Sequence, residues 1–202
     1  MVWIAFAWAC SILRCFVMYK IKIIKKGTEL KKIGPAAFLE YITPLIKERS
    51  FIALDRIPTM AEEKKWVESS ANEIDEGNRL MIILFHNKKI AGMCEASRGK
   101  YKERYNVSFA LSMAKEHRGK GYGGLLLRKA IQLAKKKFRP HKLWIEYMEG
   151  NDIAKNLYEK IGFVEVCKLS ERFYHFGRWK DLIIMEYKGD REALRQNKIS
   201  SA

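Results

Sequence analysis

The run His117-Arg118-Gly119-Lys120-Gly121-Tyr122-Gly123, with Leu125-Leu126-Leu127 close behind it, decides the fold of this chain. Three glycines in five residues separate an alternating apolar segment from an amphipathic one, which predicts a turn from strand to helix. Backbone N–H groups converge at such a turn, and a helix N-terminus favours anions. Arg118 and Lys120 add two cations beside it. The stretch therefore predicts a pyrophosphate cradle. Its register excludes two commoner phosphate loops. No Ser or Thr follows a Gly-Lys, as a Walker loop requires, and Gly119, Gly121 and Gly123 form Gly-x-Gly-x-Gly rather than the dinucleotide Gly-x-Gly-x-x-Gly.

Working outward, residues 106–113 alternate Val107, Phe109, Leu111 and Met113 against smaller side chains, a strand that feeds the glycine turn. Residues 121–138 form the helix after it, stopped before Pro140. Residues 142–148 read as a strand. A second block follows 28 residues after Gly123: residues 151–163 read Asn-x-x-Ala-x-x-Leu-Tyr-x-x-x-Gly-Phe. Asn151 suits an N-cap, Ala154, Leu157, Tyr158 and Ile161 share one helical face, and Gly162 stops the helix. Further strands are expected at residues 163–169 and 182–187.

Upstream, residues 19–24 alternate as a strand and Gly34-Pro35 breaks the chain. Residues 36–49 read as helical despite Pro44, and Thr59 with Glu62 forms a capping-box pattern for a helix to about Glu76. Residues 80–85 and 89–97, joined by Asn87-Lys88, predict a hairpin. The order is β-α-α-β-β-β-α-β-α-β-β, an α/β class with one sheet.

The chain has 202 residues, 48% hydrophobic, which suits one domain with a sizeable core. Its 39 basic against 23 acidic residues give a net charge of +16, a surface that attracts polyanions. Aromatic and basic residues do not interleave as in a nucleic-acid-binding module, so no specific nucleic acid is expected. Four cysteines and four histidines lack metal-ligand spacing, so no metal site or disulfide framework is expected, and a cytoplasmic location fits. Residues 1–17 are almost wholly apolar but interrupted by Arg14, which is costly inside a bilayer, so no membrane span is expected there. They are expected to lie outside the catalytic fold, as an upstream-start extension, an interfacial anchor or a partner-binding helix. Residues 18–188 form the domain and residues 189–202 a polar tail.

The Arg118-x-x-Gly121-x-Gly123 turn and the block from Asn151 to Phe163, in this order and spacing, resemble the Gcn5-related N-acetyltransferase (GNAT) family over roughly residues 18–188. The resemblance implies a mixed, mostly antiparallel central sheet flanked by helices. It also implies acetyl transfer from acetyl-CoA to an amine, by direct attack on the thioester. The pyrophosphate would lie on Arg118, Gly119, Lys120, Gly121, Tyr122 and Gly123. The pantetheine arm would lie along the strand near Leu111 and Met113 and at Asn151, with Lys155 in reach of the phosphorylated ribose. Tyr158 would be the general acid for the departing thiolate. Glu146 is the candidate base, in the position where ribosomal-protein acetylases carry Leu-Glu-Val, with Glu95 or an ordered water as alternatives. Tyr147-Met148-Glu149-Gly150 departs from that branch, which weakens any transfer of its substrate. Residues 173–181 with Met185 are similar to the ending of acetylases acting on ribosomal proteins, polyamines or small amines, and their aromatics are expected to wall the acceptor pocket. The acceptor is a protein or peptide N-terminus or a small amine. The positive surplus tilts against free polyamines and toward a ribosome or another acidic assembly or an anionic small amine, with a monomer or homodimer as the working form. The other class is a non-catalytic CoA-binding, nucleic-acid-associated or ribosome-associated module.

Overall fold

The computed structural model describes residues 19–189. The expectations for residues 1–17, and for the tail beyond Gly189, lie outside the described residues. The chain order is β1 (Tyr19–Ile24), α1 (Gly27–Ile33), α2 (Pro35–Lys47), α3 (Met60–Asp75), β2 (Arg79–His86), β3 (Lys89–Arg98), β4 (Asn106–Met113), α4 (Tyr122–Phe138), β5 (Lys142–Met148), α5 (Asp152–Ile161), β6 (Phe163–His175) and β7 (Arg178–Tyr187). These strands form a single seven-stranded sheet in the order β1-β2-β3-β4-β5-β7-β6. Every neighbouring pair is antiparallel except β4 and β5. The expected mixed, mostly antiparallel α/β sheet flanked by helices is the fold observed.

Strand alternation divides the core into two layers. On one face Leu80, Ile82 and Leu84 of β2, Phe109 of β4 and Ile145 of β5 pack with the Leu126, Leu127, Ala130, Ile131 stripe of α4 and with Tyr158 and Ile161 of α5. On the other, Met81 and Ile83 of β2 pack with Leu30, Phe38, Leu45 and Val67 from α1, α2 and α3. Burial of each such Leu or Ile contributes about 1.5–3 kcal/mol, which fixes the register of the sheet.

Local signals explain most element ends. Thr59 Oγ1 accepts from the Glu62 N–H at 3.2 Å and the Glu62 carboxylate accepts from the Thr59 N–H at 2.8 Å, the reciprocal box that starts α3. Asn87 and Lys88 both adopt positive φ, as the tight β2–β3 turn requires.

Two features depart from the sequence expectation. The helix α1 is additional, and at seven residues it is too short to stand alone. It is held by packing: the Gly27 N–H donates to Asp75 Oδ1 at 2.7 Å, and a Cβ on Gly27 would lie 2.5 Å from the Ala71 carbonyl oxygen. The last hairpin is also longer than expected, because Phe173, Tyr174 and His175 pair with Lys180, Trp179 and Arg178 around a Phe176-Gly177 turn. Register irregularities between Glu165 and Cys167 and between Leu169 and Phe173 break the alternation that would have marked β6 as one strand.

Candidate active site

The single parallel junction opens the sheet. β4 and β5 are paired only from Asn106↔Lys142 to Phe109↔Ile145. Beyond that, residues 110–113 pair only with β3, and residues 146–148 only with β7. The strands splay into a wedge whose inner edges carry backbone groups without strand partners. Leu111 and Met113 stand on one lip, and the Met113 carbonyl is already taken by Arg118 Nε at 2.9 Å.

The glycine turn sits at the open end of the wedge. Gly119 and Gly121 have φ of +72° and +81°, and a Cβ on either would meet nothing within 4 Å. Backbone conformation is therefore what demands glycine at both. Gly123 backs onto Leu157, Leu111 and Met113 at ordinary contact distance, which joins the turn, β4 and α5. Among the described residues the N–H groups of residues 119–124 have no protein acceptor. Lys120 is exposed beside them, and Tyr122 turns its ring onto Tyr19 at 4.4 Å, leaving its backbone at the turn. Arg118, the other cation beside the turn, is ion-paired. Its guanidinium pairs with Glu48 at the end of α2 and with the Met113 carbonyl, so it braces the turn from behind.

A cavity of about 440 Å³ runs through the wedge from one sheet face to the other. Tyr158 and Asn151 of α5 line it on the α4–α5 side, where Asn151 Oδ1 caps α5 by accepting from the Ala154 N–H at 3.2 Å. Lys155 lies exposed one turn further along. Tyr158 is only 5% exposed. Its hydroxyl has no hydrogen-bond partner among the described residues, yet no side-chain polar atom there is sealed away unpartnered, so that oxygen meets the cavity. Burial, with the Cys94 thiol adding to it, holds the phenol well above its ordinary pKa.

Three carboxylates line the same cavity, Glu63, Glu95 and Glu146, and no Lys, Arg or His is among its lining residues. Glu95 of β3 is paired with Arg79, which also holds Glu73 at 2.7 Å; burial raises its pKa against the pull of Arg79. Glu146 of β5 is solvent-accessible at the cavity wall and makes no ion pair among the described residues. The surrounding protein raises its pKa, while Arg172 pulls the other way. The roof is aromatic and comes from two sides. Tyr41, Phe51 and Trp66 belong to α2, α3 and the loop between them, and Phe173 comes from the last hairpin. The hairpin closes on that loop through a stacked Phe51–His175 pair at 5.1 Å. Of the aromatics expected to wall the pocket only Phe173 does so, because Tyr174 and Trp179 pair with each other at 5.2 Å on the exposed side.

Comparison with known proteins bears on the same segments. The model of the "Acetyltransferase (GNAT) family" matches residues 46–163, from the end of α2 to the start of β6. The chain belongs to this family. It is 31% identical over 108 residues to a spermidine N(1)-acetyltransferase of Vibrio cholerae, covering 54% of this chain and 62% of that relative. It thus spans about three fifths of that relative's length. The fold is shared with a Brucella melitensis ribosomal-protein-alanine N-acetyltransferase, with a TM-score of 0.68 and 20% identity over 83% of this chain and 98% of that one. It is shared too with a Salmonella typhimurium structure described as an acetyltransferase with its cofactor acetyl-CoA, with a TM-score of 0.68 and 21% identity over 84% and 92% of the two chains.

The GNAT fold implies acetyl-CoA as co-substrate, and the wedge and turn fit it: an elongated arm matches the splayed strands, and a pyrophosphate matches six unpartnered N–H donors. Of the three carboxylates that line the cavity, one went unread as a site residue in the sequence. Glu63 appears there as one more acid in the first turn of a helix, and only the packing of α3 against the wedge turns it inward.

Proposed function

We propose that this GNAT chain transfers the acetyl group of acetyl-CoA to a primary amine, either a protein or peptide N-terminus or a small amine, in the cytoplasm. The observation that carries this reading is the single cavity in the splayed sheet that both Tyr158 and Glu146 line. A thioester bound in the wedge would supply the acyl carbon. The turn at residues 119–124 would hold the pyrophosphate, Leu111, Met113 and Asn151 the arm, and Lys155 the ribose phosphate.

The acceptor enters as an ammonium ion and must lose a proton before it can attack. Glu146 has no competing cation bonded to it, and its raised pKa brings it nearer that of the amine it must deprotonate. Glu95 is less suited to the role, since Arg79 occupies its carboxylate. The nitrogen then attacks the carbonyl carbon, the new C–N bond forms as the C–S bond breaks, and the sulfur leaves as a thiolate. The nitrogen sheds its second proton as the amide forms, which replaces the proton that Tyr158 donates. Tyr158, protonated throughout the neutral range, gives that sulfur its proton.

The test is consumption of acetyl-CoA with a panel of peptides and small amines, alongside thermal stabilisation by CoA. Turnover with at least one amine supports the reading. Stabilisation by CoA without turnover would make the chain a binding module, and absence of both would remove the CoA site as well.

A further inference from the structure

We propose that Glu63 selects acceptors carrying a second protonated nitrogen besides the one acetylated, a diamine or polyamine. This rests on the acetyltransferase reading above and narrows its acceptor. Glu63 sits in the first turn of α3, 7% exposed, and makes no ion pair or side-chain hydrogen bond among the described residues. Glu63 is one of the residues lining the cavity, and none of its polar atoms is sealed away unpartnered. An acid in a first helical turn commonly serves the helix dipole, but it does so from solvent. Here burial is what acts on the group and raises its pKa, and no charged neighbour offsets it. A carboxylate placed this way is costly to the folded chain unless something cationic arrives.

The charge count within the cavity points to what arrives. Arg79 answers Glu95, and Arg172 acts on Glu146 only without an ion pair, which leaves Glu63 and Glu146 without a bonded cation among the described residues. Two such carboxylates match two ammonium groups. One gives its proton to Glu146 and becomes the nucleophile, and the other keeps its proton on Glu63. Phe38, Tyr41, Phe51, Trp66 and Phe173 line the space around them, and aromatic faces suit both a methylene chain and a cation. The net charge of +16 does not oppose this. Exposed charges are screened over about 8 Å in physiological salt, whereas a buried carboxylate acts at contact. The sequence-based tilt away from polyamines is thus reversed at the site itself.

The experiment compares kcat/KM for linear diamines of three to six carbons with that for the matching monoamines, in the wild type and in Glu63→Gln and Glu63→Asp. Calorimetric binding of diaminobutane to the CoA-loaded protein runs in parallel. The wild type should favour the diamine by about ten- to hundredfold at one length or more, the worth of one charge-assisted hydrogen bond. Glu63→Gln should bring that ratio to about one and weaken diaminobutane binding by the same factor. Glu63→Asp, which keeps the charge, should retain a preference. Glu63→Gln should melt no lower than the wild type, since it removes an unanswered buried charge. Equal rates for both amine classes in the wild type, or a preference unmoved by Glu63→Gln, would overturn the assignment and leave the acetyltransferase reading standing. Glu63-dependent binding of diaminobutane without acetylation would do the reverse.

Discussion

Replacing Tyr158 by Phe separates catalysis from folding at one atom. The ring is held by Phe163 and Tyr147 at centroid distances of 6.1 and 6.2 Å, and Phe preserves those contacts. The hydroxyl faces the cavity without a protein partner, so its removal leaves no donor or acceptor stranded. Stability should therefore change by no more than about 0.5 kcal/mol, or about 2 °C in Tm for a chain of this size. Tyr158→Ala, by contrast, would empty a buried aromatic site at a cost of about 3–5 kcal/mol and confuse the two effects. Loss of a positioned proton donor lowers kcat by about 10²–10⁴, equivalent to about 3–5 kcal/mol in the barrier. Because burial keeps the phenol protonated well past neutrality, the loss should be equal from pH 6 to pH 8, a window of about the physiological range. The assay is release of free CoA thiol at saturating amine and acetyl-CoA, paired with a thermal melt. A kcat within about twofold of wild type in a variant that melts normally would refute the proton-donor argument. A collapse in Tm would show instead that the hydroxyl is structural.

The remaining predictions concern the base and the turn. With Glu146 as base, kcat/KM should rise with pH through a limb set above the ordinary carboxylate range, because its folded-state pKa is raised. Glu146→Gln should abolish that limb, and Arg172→Ala, which removes the opposing charge, should move it to still higher pH; a pH–rate profile reads both. Glu146 also has a stability consequence of matching sign: the folded chain holds its proton more tightly, so this group's contribution is full below the unfolded pKa and is lost as pH rises through the folded one. Gly121→Ala should cost about 1–2 kcal/mol from the left-handed backbone alone, since no atom blocks the new Cβ, and Gly121→Asn should cost less; denaturant melts compare them. Arg118→Ala should destabilise the chain by about 1–3 kcal/mol through the stranded Glu48 carboxylate, and should weaken CoA binding in a calorimetric titration because the turn loses its brace.

What could be read from the sequence was whatever local chemistry dictates. β4 and β5 begin and end where alternation and the glycine turn predict, and the Thr59 box and the Asn151 cap form as their spacing requires. The glycine turn and the start of α5, where the family resemblance implies the cofactor, were legible as structure for the same reason, because they are a turn and two helix starts. The acceptor side was not. Arg118 and Glu48 lie 70 residues apart, and no local pattern in either announces the pair. Glu63 obeys the ordinary rule for a first-turn acid, and its inward aim exists only once α3 lies against the sheet. The surface charge, read globally, pointed away from the polyamine acceptor proposed from the residues lining the cavity. α1 forms because Gly27 docks on α3, which propensity does not report.

The four residue pairs that join β4 to β5 also have a mechanical meaning. They are the only strand pairing that stitches β1–β4 to β5–β7 among the described residues, so the sheet behaves as two leaves sewn along a short seam. An occupant of the wedge that bonds to both lips lengthens that stitching, and so couples the leaves as well as filling the gap between them. Amide exchange at residues 110–113 and 146–148 should then slow together when the wedge is filled, two distant stretches of chain responding as one.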